Sequence, residues 1–195
     1  KEADVCYRCK EGVSNTLKLI DGNFLNIKLS DLITSEDRRI AKEFFYNNPR
    51  IDYDLVYDNF ELGAATLSTY ISRTRDRDLI NVEQDFVKEL AYNALTIYLG
   101  VKKFLVEKDI DIVYNFNGRQ DYVRAILRAT NANGLDCINI ERARLGGFVE
   151  TYKNILPHNI PNKWELVQKC WDNSNLSKQE KIRIGSEFYE RQRSG

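Results

Sequence analysis

Residues Asn117-Gly118-Arg119 stand where a short β-branched, aromatic run, 110–116, gives way to a helical pattern. In open α/β sheets, ligands bind beyond the carboxyl ends of the strands. A helix that starts there offers unpaired N–H groups and partial positive charge to a phosphate or carboxylate. Gly118 lets the backbone approach closely, and Arg119 adds a two-pronged donor. The plain alternative is a good turn followed by a solvated arginine. Glu141-Arg142 holds the same position after the next strand pattern, Cys137-Ile138-Asn139-Ile140. A carboxylate there suits sugar hydroxyls or general-base work. It suits equally well a structural pairing with Arg119, Arg124 or Arg144. His158, the single histidine, lies in the loop Leu156-Pro157-His158-Asn159. Alone it makes no metal site; it is a candidate base or an ordinary hydrogen-bonding loop residue.

Cys6 and Cys9 form a C-x-x-C with no second pair at zinc spacing, and Cys137 and Cys170 stand apart. Plain thiols in a reducing compartment are the expectation, with half a metal site as the alternative. No metal site is expected. Gly146-Gly147-Phe148 reads as a flexible loop on the substrate side. The chain contains no G-x-G-x-x-G, P-loop, G-x-S-x-G or H-E-x-x-H pattern. Its 11 tyrosines suit carbohydrate stacking, although aromatic residues more often fill a core.

The elements that must carry these residues follow from periodicity. Residues 1–30 read as an irregular lead-in with a short hairpin around Asp21-Gly22-Asn23, and 31–195 as one α/β domain. Ser30-Asp31 offers an N-cap to a helix bearing Leu32, Ile33, Ile40, Ala41, Phe44 and Phe45, which stops before Pro49. A second helix over 58–75 places Phe60, Ala64, Leu67 and Ile71 on one face, and ends in a charged, solvated run at 73–78. The longest helix, 82–108, carries Leu90, Ala94, Tyr98, Val101 and Leu105 in a buried stripe with Phe86 and Ile97. Gly100 inside it costs about 1 kcal/mol relative to alanine and signals close packing. Strand 110–116, helix 122–129 with Asn133-Gly134 as its cap, and strand 137–140 have the length of a right-handed βαβ crossover. Two helices, at about 162–173 and 177–192, complete the pattern. The fold class expected is a Rossmann-like parallel sheet flanked by helices.

The chain's bulk numbers agree with a folded domain. Hydrophobic residues make up 43% and charged residues 30% of 195, too apolar for disorder. Lys+Arg and Asp+Glu each total 29, so bulk charge recruits no nucleic acid. No apolar stretch approaches the ~20 residues of a spanning helix. There is no methionine, the chain opens at Lys1 with no apolar leader, and its last residues continue a helical pattern. Further sequence is therefore expected on both sides.

Asp111-Ile-Val-Tyr-Asn-Phe-Asn-Gly-Arg119, then Arg124-Ala125, Gly134, Glu141-Arg142 and Pro157-His158, resembles a pattern in bacterial capsule and surface-polysaccharide glycosyltransferases. There a strand ends in Phe-Asn-Gly-Arg, an Arg-Ala follows in the helix, a Glu-Arg-Gly follows the next strand, and a Pro-His marks a downstream loop. Ala143 stands here where that pattern has glycine. The resemblance covers about residues 110–160. It implies the N-terminal, acceptor-side half of a two-domain GT-B enzyme, whose partner domain in the same chain holds the sugar nucleotide. It implies a nucleotide-sugar donor and a glycan acceptor as substrates, no cofactor, no metal, and a cytoplasmic location that includes the inner membrane face. Asn117, Gly118, Arg119, Arg124 and Arg142 would bind substrate, and Glu141 or His158 would take the acceptor's proton. Two other expectations stay open: a non-catalytic α/β module for phosphate or carbohydrate, and a helical interaction domain.

Overall fold

The computed structural model describes residues 11–12, 14–15, 18, 25–80, 82–143, 146–157 and 159–194. Most of the expected hairpin lies outside these residues, and 25–28 form no strand. Cys6 and Cys9 also lie outside them.

A 3-10 turn, Leu29–Leu32, precedes helix α1, Ser35–Asn47. The cap is Thr34 rather than Ser30, because Asp37 three residues on completes a capping box. Asp37 Oδ2 accepts the Thr34 backbone N–H at 2.7 Å, while Thr34 Oγ1 accepts the Asp37 N–H at 3.3 Å. The helix ends ahead of Pro49, as its ring geometry demands. A tight turn follows at Asp58-Asn59, both in the left-handed region with φ of 45° and 63°. Tyr57 and Phe60 exchange backbone hydrogen bonds across it.

Helix α2 is Leu62–Thr74. Its buried positions are Leu62, Gly63, Ala65, Thr66, Leu67, Thr69 and Tyr70. The expected stripe through Ala64 and Ile71 is therefore displaced by about one residue, and those two side chains border an open cleft instead. Helix α3, Gln84–Glu107, buries the expected Leu90, Ala94, Tyr98, Val101 and Leu105. The Tyr98 ring stacks on Phe60 at 5.4 Å between centroids, and its hydroxyl donates to Asp58 Oδ2 at 2.8 Å. Close packing at Gly100 is real: a Cβ there would lie 2.7 Å from the Leu32 carbonyl oxygen.

The crossover unit forms as the sequence suggests. Strand β1, Ile112–Phe116, leads through helix α4, Asp121–Ala132, to strand β2, Asp136–Arg142. The strands pair in parallel, Ile112 opposite Asp136 and Phe116 opposite Ile140. Gly134, with φ of 70°, turns the chain out of α4. The sheet departs from the all-parallel expectation at its third strand. Strand β3, Val149–Lys153, runs antiparallel to β2, and the sheet order is β1-β2-β3. Gly146-Gly147, expected as a flexible loop on the substrate side, sits in the hairpin turn, where the Ala143 N–H reaches the Phe148 carbonyl. The protein is thus mixed α/β with a small three-stranded mixed sheet.

Helix α4 packs on the side of the sheet that carries Val113, Asn115, Cys137 and Asn139. The other side carries Ile112, Tyr114 and Phe116, the last two each 65% exposed. Helices α5, Ile160–Asn173, and α6, Lys178–Ser194, bury none of their residues. Trp164 and Trp171 both lie on α5 and are exposed. No helix among the described residues is long and apolar enough to cross a membrane.

Candidate functional site

The site is built where β1 ends. Asn117 and Gly118 both adopt left-handed backbone, with φ of 63° and 73°. Asparagine and glycine are the residues that tolerate this. The turn is pinned to the next strand by the Asn117 N–H, which donates to the Ile140 carbonyl at 2.8 Å. Below it, two buried asparagines face each other across β1 and β2. Asn115 Nδ2 donates to the Val123 carbonyl at 2.8 Å and to Asn139 Oδ1 at 2.9 Å. Asn139 Nδ2 donates to the Ile155 carbonyl at 2.8 Å. These bonds tie both strands, the start of α4 and the segment after β3 into one rigid floor. A Cβ on Gly118 would lie 2.8 Å from Asn139 Oδ1, so only glycine fits over that floor.

The Asn117 side chain joins the residues singled out in the sequence. Its Nδ2 donates to Glu141 Oε2, and its Oδ1 accepts the Arg119 N–H at 3.1 Å. Glu141 Oε1 accepts the Arg142 backbone N–H at 2.9 Å. The carboxylate is thereby held by two donors, half-exposed, at the carboxyl end of β2. Arg142 is exposed and does not line the cleft described next. His158 lies outside the described residues, although its neighbours Leu156 and Asn159 border that cleft.

A cleft of about 590 Å³ opens beside the turn. Arg75, Arg77, Arg119 and Arg124 line it, together with Tyr53, and among the described residues no carboxylate does. Its apolar wall is Ala64, Leu67 and Ile71 of α2, with Leu79 and Leu156. Arg124 is 8% exposed and comes from α4, whose first turn is locked to α2. The Asp121 N–H donates to Thr69 Oγ1 at 2.9 Å, and that hydroxyl returns a bond to Asp121 Oδ1 at 3.0 Å. Burial holds the Arg124 guanidinium below its ordinary value, and the Arg128 and Arg119 charges push the same way against the opposing pull of Glu61. Glu61 Oε1 is 3.6 Å from Arg124 but is chiefly engaged by Arg128, whose Nε reaches Oε2 at 2.6 Å.

Sequence reasoning singled out Asn117, Gly118, Arg119, Arg124 and Glu141 as candidates and passed over Glu61, Arg75 and Arg77. Glu61 has no motif around it. The two arginines sit in a charged run that reads as solvated. Among the described residues, no group of three His, Cys, Asp or Glu side chains is placed to hold a metal. Cys137 is buried, and burial raises its thiol to about 11, which leaves it a poor nucleophile. Compared with known protein families, curated proteins and solved structures, the chain matches none.

Proposed function

We propose that this chain is part of a glycosyltransferase that moves a sugar from a nucleotide-sugar donor to a glycan or glycolipid acceptor, and that it forms the acceptor-side half of a GT-B enzyme. The observation that carries the reading is the convergence of the Phe-Asn-Gly-Arg and Glu-Arg positions. Glu141, Asn117 and Arg119 form one bonded unit at the carboxyl ends of two parallel strands. In this reading Glu141 takes the proton of the acceptor hydroxyl as its oxygen attacks the anomeric carbon, and the nucleoside diphosphate leaves with the bonding pair. The two donors on Glu141 fix its direction, which lowers the cost of reaching a productive geometry. Arg119 and Arg124 supply positive charge to the phosphorylated part of a substrate. His158 remains a candidate for the same proton.

The test incubates the full-length gene product with a panel of sugar nucleotides, with and without acceptor glycans, and follows nucleotide release by mass spectrometry. Release that depends on one sugar nucleotide is expected. Arg119→Ala should lower turnover at least tenfold, about 1.4 kcal/mol of barrier, without unfolding the protein. No release from any donor by a folded protein would overturn the transferase reading. It would favour the non-catalytic binding module, which the same arginines support.

A further inference from the structure

Three guanidinium groups in the arginine cleft have no partner among the described residues. Among the described residues, the side chains of Arg75, Arg77 and Arg119 make no hydrogen bond and no ion pair. Arg124, nearly buried, has only a long bond to the Gly118 carbonyl at 3.4 Å and its 3.6 Å approach to Glu61. A guanidinium carries five donors. Like charges gathered round one space repel each other, and an entering anion relieves that repulsion.

The segment that carries Arg75 and Arg77 is built rather than draped. Thr74 Oγ1 donates to the Tyr70 carbonyl at 2.9 Å and accepts the Asp76 N–H at 3.2 Å. Asp76 Oδ1 accepts the Leu79 N–H at 3.1 Å, which turns that carboxylate away from the cleft and into its own loop. Asp78 does not line the cleft either. Leu79 packs against the core and anchors the far end. Arg75 caps α2 in the left-handed region, φ 65°, where an arginine is held only by its surroundings.

The same cleft is also lined by Leu67, Ile71 and Leu156, and by the exposed Tyr53. The lining thus combines four cations with aliphatic and aromatic surface. An inorganic anion would use only the cations. We infer that the cleft is a binding site for a diphosphate ester, with Arg75, Arg77, Arg119 and Arg124 on the diphosphate and the apolar wall on its organic group. That group is either a nucleoside, flat enough to lie against Tyr53, or an isoprenoid chain. The inference rests on the transferase reading for its relevance to sugar transfer, but the binding it describes needs no catalysis.

The experiment is calorimetric titration of the chain with pyrophosphate, uridine diphosphate and farnesyl diphosphate, at low and at physiological salt. Pyrophosphate should bind weakly, and one of the two esters at least tenfold more tightly; which one identifies the source. Arg75→Asn combined with Arg77→Ala should weaken the tighter ester at least tenfold. Asparagine accepts the left-handed backbone, so the fold is kept, and both positions are exposed. Arg38→Ala, on the exposed face of α1, should leave binding unchanged. Absence of binding by all three probes, or equal binding by the doubly substituted chain, would overturn the site. If the esters bind but no sugar nucleotide is turned over by the full-length protein, the site stands and the transferase reading falls. If turnover is found with KM unchanged by the Arg75 and Arg77 substitutions, the reverse holds.

Discussion

Glu61→Gln probes the carboxylate that pairs with the arginines behind the cleft. Glu61 grips Arg128 through two bonds, Nε to Oε2 at 2.6 Å and Nη2 to Oε1 at 2.5 Å, and stands 3.6 Å from Arg124. The Glu61 and Arg128 side chains are 28% and 25% exposed, and Arg124 only 9%. Breaking a fully buried pair costs about 3–5 kcal/mol, and an exposed pair is worth about 0–1. A bidentate pair at this depth, with a second arginine left uncompensated, falls between, at about 2 kcal/mol. For a chain of this size that lowers Tm by about 4–8 °C. The acid dependence gives an independent check. Burial pushes the Glu61 carboxyl up, but the Arg128 bond and charge outweigh it, and the group stays below its ordinary value. Its contribution is therefore complete above the ordinary carboxylate range and fades as pH falls below about 4. Urea unfolding followed by far-UV circular dichroism should show the full gap at pH 7 and a narrowed gap at pH 3.5. A loss below about 0.5 kcal/mol at pH 7, or a gap that does not change with acid, would refute the reasoning and class the pair with surface ion pairs.

Three further outcomes follow from the packing. Gly100→Ala gains about 1 kcal/mol of helix propensity but drives a Cβ to 2.7 Å from the Leu32 carbonyl, so a net loss of about 1 kcal/mol is expected in the same unfolding assay. Gly185→Ala on α6, with open space around it, should instead gain up to about 1 kcal/mol. Thr34→Ala removes the α1 cap and should cost about 1 kcal/mol. It should also raise the Asp37 carboxyl, which burial pushes up but the Thr34 and Lys103 bonds hold low, and a carboxyl-detected NMR titration would read that rise. Because Asp37 sits below its ordinary value, its share of stability is lost as pH falls below about 4.

The crossover was legible because its signals are local. β-branched runs mark the strands, and the Asn117-Gly118 and Asn133-Gly134 pairs punctuate them, with positive φ at Asn117, Gly118 and Gly134. Strand β3 escaped for the opposite reason. Val149, Thr151 and Tyr152 are strand formers, but Gly146-Gly147 looks like the end of order rather than the corner of a hairpin. The cleft was illegible from periodicity alone. Ala64 and Ile71 repeat at helical spacing, and such spacing says that a face avoids water without saying that protein covers it. Likewise the charged run at 73–78 reads as solvated, since nothing local shows that Arg75 and Arg77 border the same space as Arg119. Glu61 pairs with residues more than sixty positions away, a separation no spacing rule reaches.

Both tryptophans of the chain lie on α5, a helix with no buried residue, while the core is lit by tyrosine and phenylalanine. Intrinsic tryptophan emission will therefore report the surroundings of α5 and stay largely blind to collapse of the core. Its wavelength should sit well to the red in the native protein and shift little on unfolding. A blue shift on adding any binding partner would locate that partner on α5, which makes the two indoles ready-made sensors for a surface otherwise silent in stability measurements.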